Sequence, residues 1–120
     1  MARFAVEARS VPGATVLALA GELDHDTVEP LRQAIDAAAW HGGGRLLVDL
    51  SRLDFCDSTG LNVLLHGRLT AGESDGSLEL VGLHPPVERM FHVTGADRLF
   101  QVHADVEAAL ATARRNPSPL

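Results

Sequence analysis

Apolar and polar residues change period several times along the chain, and each change marks an element. Short apolar-rich runs over 4–9 and 15–20 read as two strands. The turn Val11-Pro12-Gly13 between them makes a hairpin. Gly21 is expected to close the second strand. Val28, Leu31, Ile35, Ala38 and Ala39 then recur at helical spacing, so a helix follows and ends near Trp40. Asp26 or Thr27 is expected to cap it. Glu29 stands at capping-box distance from Asp26, and Pro30 fits only in a first turn. Residues 45–50, Arg-Leu-Leu-Val-Asp-Leu, are apolar on both faces and read as a central strand. A loop comes next, and Asp57 or Ser58 caps a second helix bearing Leu61, Leu64, Leu65 and Leu69.

After a loop over 71–76, residues 77–81 read as a strand. Pro85 and Pro86 open a third helix with Val87, Met90 and Phe91 on one side, and Gly95 suits the position just past its end. A short strand over 99–103 and a last helix over 105–113, with Val106, Ala109 and Leu110 inward, complete the order β-β-α-β-α-β-α-β-α. Such alternation implies an α/β fold. Its sheet is mixed but mostly parallel, with an antiparallel N-terminal edge hairpin and about four helices. Residues 1–113 form one domain, and 114–120, with two prolines, form a tail.

Composition narrows the class. At 120 residues and 46% hydrophobic, the chain is one globular domain, able to bury roughly two-thirds of its unfolded surface. The apolar runs are too short to span a bilayer, and the N-terminus lacks the apolar segment of a signal peptide. With one cysteine, no internal disulfide forms, and a cytoplasmic setting is expected. A net charge of −6 without a basic stripe argues against nucleic acid.

Candidate chemistry centres on Asp54-Phe55-Cys56-Asp57-Ser58-Thr59-Gly60, at the carboxyl end of the central strand. In open α/β sheets, functional loops gather at such ends. Ser58 would stand at a helix start, where free N–H groups and the helix dipole favour an anion such as a phosphate. The plainer account is that Asp57 and Ser58 only cap the helix. A serine nucleophile is a poor fit. His41-Gly42-Gly43-Gly44 looks like an oxyanion motif, but the elbow needs glycine two residues before the serine, and Cys56 occupies that place. The six histidines are scattered without metal-ligand spacing, so no metal is expected, and the lack of a GxxxxGK[ST] loop argues against ATP hydrolysis; no cofactor is assigned, and nucleotide binding stays open. A helix start would lower the pKa of Cys56 and Asp57 would oppose this, so Cys56 reads as a small buried residue. The acidic loop Gly21-Glu22-Leu23-Asp24-His25-Asp26-Thr27 follows a strand expected beside the central one, which would bring Asp24 near Ser58.

Four segments in order resemble one family. They are Ala20-Gly21-Glu22-Leu23-Asp24 before a helix, Leu46-Leu47-Val48-Asp49-Leu50-Ser51, Phe55-Cys56-Asp57-Ser58-Thr59-Gly60-Leu61, and Val87-Glu88-Arg89-Met90-Phe91 leading to Thr94-Gly95. Over roughly 4–113 the chain resembles the STAS domain of bacterial anti-sigma factor antagonists. Cys56 departs from the larger aliphatic residue frequent there.

The resemblance implies a non-enzymatic partner switch; the oligomeric state stays open, a monomer exchanging partners being the simplest expectation. The unphosphorylated protein binds an anti-sigma factor, itself a serine kinase with a GHKL-type ATP site, and frees a sigma factor. Phosphorylation of Ser58 dissolves the complex, and a metal-dependent serine phosphatase reverses it. Asp24, Asp57, Ser58, Thr59, Gly60 and Leu61 form the implied docking face. A STAS subunit of a transport complex, or a stress-sensing scaffold, would keep the fold and change the partner; co-purified proteins separate these. A small hydrolase using Ser58 is tested by a serine-reactive probe.

Overall fold

The computed structural model describes residues 3–38 and 44–112. Five strands and four α-helices follow in the order β1 Phe4–Val11, β2 Ala14–Leu23, α1 Glu29–Ala37, β3 Arg45–Cys56, α2 Ser58–Glu73, β4 Ser77–Val81, α3 Val87–Val93, β5 Val102–His103 and α4 Val106–Ala111. The strands lie side by side in chain order; β1 is antiparallel to β2, and all other neighbours are parallel. The sheet is the mixed, mostly parallel one that the alternation implied.

Successive side chains of a strand point to opposite faces, and both faces of β3 are covered. Leu46, Val48 and Leu50 join the large core formed with Leu31 and Ile35 of α1, Leu64 of α2 and Phe91 of α3. Leu47 points the other way, into a small cluster with Val16, Val81 and Ala109 beneath α4. The same second face carries a buried polar network. The Glu79 carboxylate accepts from Arg45 at 2.8 Å through both oxygens, from Ser77 at 2.7 Å and from His103 Nε2–H at 2.8 Å. Arg45 also donates to the Ala109 carbonyl of α4 at 2.7 Å.

Several boundaries differ from the sequence expectation. Gly21 does not close β2. It sits inside the strand at φ +97°, where a β-carbon would collide with the Arg3 carbonyl oxygen, so only glycine lets β1 approach there. β3 does not end at Leu50 but continues to Cys56, because β2 extends to Leu23 and keeps pairing with it through two register shifts.

Asp26 and Thr27 do not cap α1. Val28 takes that position without a side-chain bond, since the Thr27 hydroxyl donates to the Glu22 carbonyl and accepts from the Asp24 N–H. The strand expected over 99–103 shrinks to Val102–His103, preceded by the 3-10 turn Ala96–Arg98. Leu69 and Leu110 face outward, and Ala109 alone is the fully buried residue of α4. α1 ends at Ala37, with Ala38 already extended, short of the end expected near Trp40; the motif over 41–43 and the tail 114–120 lie outside the described residues.

Candidate functional site

Parallel pairing puts the carboxyl ends of β2 and β3 next to each other. Leu23 is opposite Cys56, and the Asp57 N–H donates to the Leu23 carbonyl at 3.1 Å. Asp24 and Ser58 each lie one or two residues beyond that pair, so the loops they begin share one rim of the sheet. The turn from strand to helix is a single residue, Asp57, whose backbone is extended. Its Oδ1 accepts from the Gly60 N–H at 3.0 Å, which caps α2. Gly60 lets this turn pack tightly: a β-carbon there would lie 2.7 Å from Leu23 Cγ and 3.1 Å from Cys56 Sγ. Leu61 is buried behind it.

Asp57 therefore supplies the cap, and Ser58 is left exposed on the first turn of α2. The two capping candidates separate into one structural residue and one presented hydroxyl. Replacing Asp57 by alanine is expected to cost about 0.5–2 kcal/mol of folding stability. Ser58→Ala should stay within about 0.5 kcal/mol of wild type, as for an ordinary surface change. Urea melts of the two variants check this, and a larger loss for Ser58→Ala would show that its hydroxyl does the capping.

Asp24 is used internally. Its Oδ1 accepts from the Asp26 N–H at 2.9 Å and the Thr27 N–H at 3.1 Å, and its Oδ2 receives the Arg3 guanidinium. Desolvation pushes its pKa up. The Asp26 N–H, the Arg3 charge and the bonds from Thr27 and Arg3 outweigh this and hold the carboxyl below its ordinary value. The residue thus fixes the β2–α1 loop in shape and stays ionised at neutral pH. Arg3 lies 21 residues away in sequence, with no local signal to reveal it.

Thr59 is half-buried and lines, with Arg32, Asp36 and His66, a groove of about 530 Å³ between α1 and α2. Cys56 is buried, and burial, aided by the Asp57 charge, pushes its thiol up to about 12, so it is a packing residue with no thiolate chemistry at neutral pH. Sequence reasoning overlooked Phe55 as a surface residue. It lies opposite Glu22 in the last paired stretch of β3, yet is half exposed. Its neighbours gave a weak clue, because apolar residues at 50, 53 and 56 already satisfy the core at a period of three. Among the described residues, no helix is long and apolar enough to cross a membrane.

Comparison with known proteins places this arrangement. The family model described as Mlab, STAS domain, matches residues 6–102. An anti-sigma F factor antagonist of Paenibacillus polymyxa is 28% identical over 99 residues, covering 82% of this chain and 85% of its own. An anti-sigma factor antagonist from Mycobacterium paratuberculosis superposes with a TM-score of 0.80 at 28% identity, covering 93% of this chain and 95% of its own. The anti-sigma factor antagonist SpoIIAA in its unphosphorylated form gives 0.72 at 30% identity, covering 88% and 93%. SpoIIAA of Bacillus in its phosphorylated form gives 0.70 at 27%, covering 92% and 100%.

Proposed function

The chain belongs to the STAS domain family, and from that premise we propose that it is an anti-sigma factor antagonist switched by phosphorylation of Ser58. The unphosphorylated protein binds an anti-sigma factor that is also a GHKL-type serine kinase, so that a sigma factor is released. Transfer of phosphate to Ser58 ends the complex, and a metal-dependent serine phosphatase returns the protein to its binding form. The protein acts in the cytoplasm as a single domain over 1–113 and performs no chemistry of its own.

One observation carries this reading. The Ser58 hydroxyl is exposed on the first turn of α2, while the neighbouring Asp57 does the capping, so the serine can be modified without dismantling the helix. The helix start tolerates a dianion, because its free N–H groups and dipole favour negative charge. Asp24, Asp57, Ser58 and Thr59 are the contact residues of this proposal. Buried Gly60 and Leu61 support the turn from below.

Incubation with the cognate kinase and ATP, followed by mass spectrometry, tests it. A single phosphate on Ser58, absent from Ser58→Ala, is expected. Phosphate on another residue, or none, sinks the reading.

A further inference from the structure

We infer that Phe55 is the apolar anchor of the docking face, and that the partner receives it in an apolar pocket bordered by basic side chains. This rests on the anti-sigma reading and says which surface the partner must have.

The chain has four phenylalanines. Phe4, Phe91 and Phe100 are 8%, 0% and 6% exposed, whereas Phe55 is 49% exposed, three residues before Ser58. Its exposure follows from the sheet. The β3–β4 register ends at Asp49 opposite Val81, so the last stretch of β3 pairs with β2 alone. Leu53 and Cys56 fill the core, and Phe55 is left outward. On the open side of β3, His84 Nε2 lies 3.0 Å from the Leu53 carbonyl oxygen. That contact brings the loop carrying exposed Pro85 and Pro86 to within two residues of Phe55. Phe55 is therefore an exposed aromatic three residues before Ser58 in the chain, and the exposed Pro85-Pro86 pair follows the histidine that contacts Leu53. An exposed aromatic in such a setting is the kind of residue that dominates binding energy at protein interfaces.

Charge specifies the rest of the partner. Glu22 faces Phe55 across the ladder, Asp54 and Asp57 flank it in the chain, and Asp24 and Asp26 occupy the adjoining loop. Arg52 and Arg3 are the cations of these segments, and Arg3 is already engaged with Asp24 and Glu22. The rim is acidic, so a basic border on the partner meets complementary charge, steers encounter and makes binding weaken with salt. A second copy of this chain would bring like charge against like, which disfavours self-association through the same face.

Calorimetry of the purified anti-sigma factor with wild type, Phe55→Ala, Phe55→Leu and Ser58→Asp tests the inference, with a thermal melt of each variant. Phe55→Ala should bind at least tenfold more weakly, Phe55→Leu should lose less, and both should melt close to wild type. Wild-type affinity should fall as salt is raised. If Phe55→Ala binds like wild type while Ser58→Asp does not, the anchor is refuted and the anti-sigma reading stands. If wild type itself does not bind, that reading fails and takes the anchor with it. A wild-type dimer that Phe55→Ala dissolves would assign this face to self-association instead and overturn the inference.

Discussion

Ser58→Asp is expected to weaken binding to the anti-sigma factor by tenfold or more, roughly 1.4 kcal/mol or above, while leaving the fold intact. The two halves of that expectation have separate causes. An aspartate on the first turn of a helix meets free N–H groups and the positive end of the dipole, which stabilises the helix by about 0.3–1 kcal/mol. The neighbouring cap from Asp57 to Gly60 does not involve the Ser58 side chain.

On the proposed reading the partner, by contrast, closes over this turn. A new carboxylate there must be stripped of water, and an unpaired buried charge is costly. The acidic rim around it behaves differently, because rim carboxylates keep their hydration and act by steering. Ser58→Ala removes the acceptor without adding charge, so it should bind as wild type does and resist release by the kinase. Isothermal titration of both variants decides the matter. Equal affinity of Ser58→Asp and Ser58→Ala would remove Ser58 from the interface.

Glu79→Ala is expected to have the largest effect on stability, a loss of about 3–5 kcal/mol at neutral pH. Arg45, Glu79 and His103 have side chains only 9%, 1% and 8% exposed, so water cannot replace the carboxylate when it is removed. Arg45 would keep its bond to the Ala109 carbonyl but lose its counter-charge, and Ser77 and His103 would lose their acceptor. Burial of Glu79 by itself raises its pKa. The bonds from Arg45, Ser77 and His103, with the Arg45 charge, outweigh this and leave it below its ordinary value of 4.5.

A carboxylate depressed in the folded state binds fewer protons there than when unfolded. Its contribution is therefore fully present above about 4.5 and is lost as pH falls through the folded value. The gap between wild type and Glu79→Ala should narrow over that acid range. Urea melts from neutral to acid pH measure it, and a loss below about 1 kcal/mol at neutral pH would show that the network is dispensable. The network is built from Arg45 and Ser77, at the starts of β3 and β4, whereas Ser58 follows the end of β3. Folded Glu79→Ala should therefore bind the anti-sigma factor normally.

The sequence by itself determined the order of elements, the parallel sheet with its antiparallel edge, and the chemistry of the 54–60 segment. These follow from local terms: periodicity, turn residues and the spacing of a short motif. It also narrowed the cap of α2 to two residues. Only the tertiary structure chose between them, because the choice depends on which side chain reaches the Gly60 N–H. Tertiary pairing decided, too, that β3 runs on to Cys56, since the partner for that stretch lies on β2, more than thirty residues earlier. The same pairing left Phe55 outside.

Asp24 was legible as an acidic residue near Ser58, but its engagement by Arg3 and by its own loop was not. Contacts across 21 residues for Arg3–Asp24, or 34 for Arg45–Glu79, leave no periodic trace in a sequence. Local energetics wrote a serine at a helix start into the sequence. The rim around it was assembled by strands that meet only when the chain is folded.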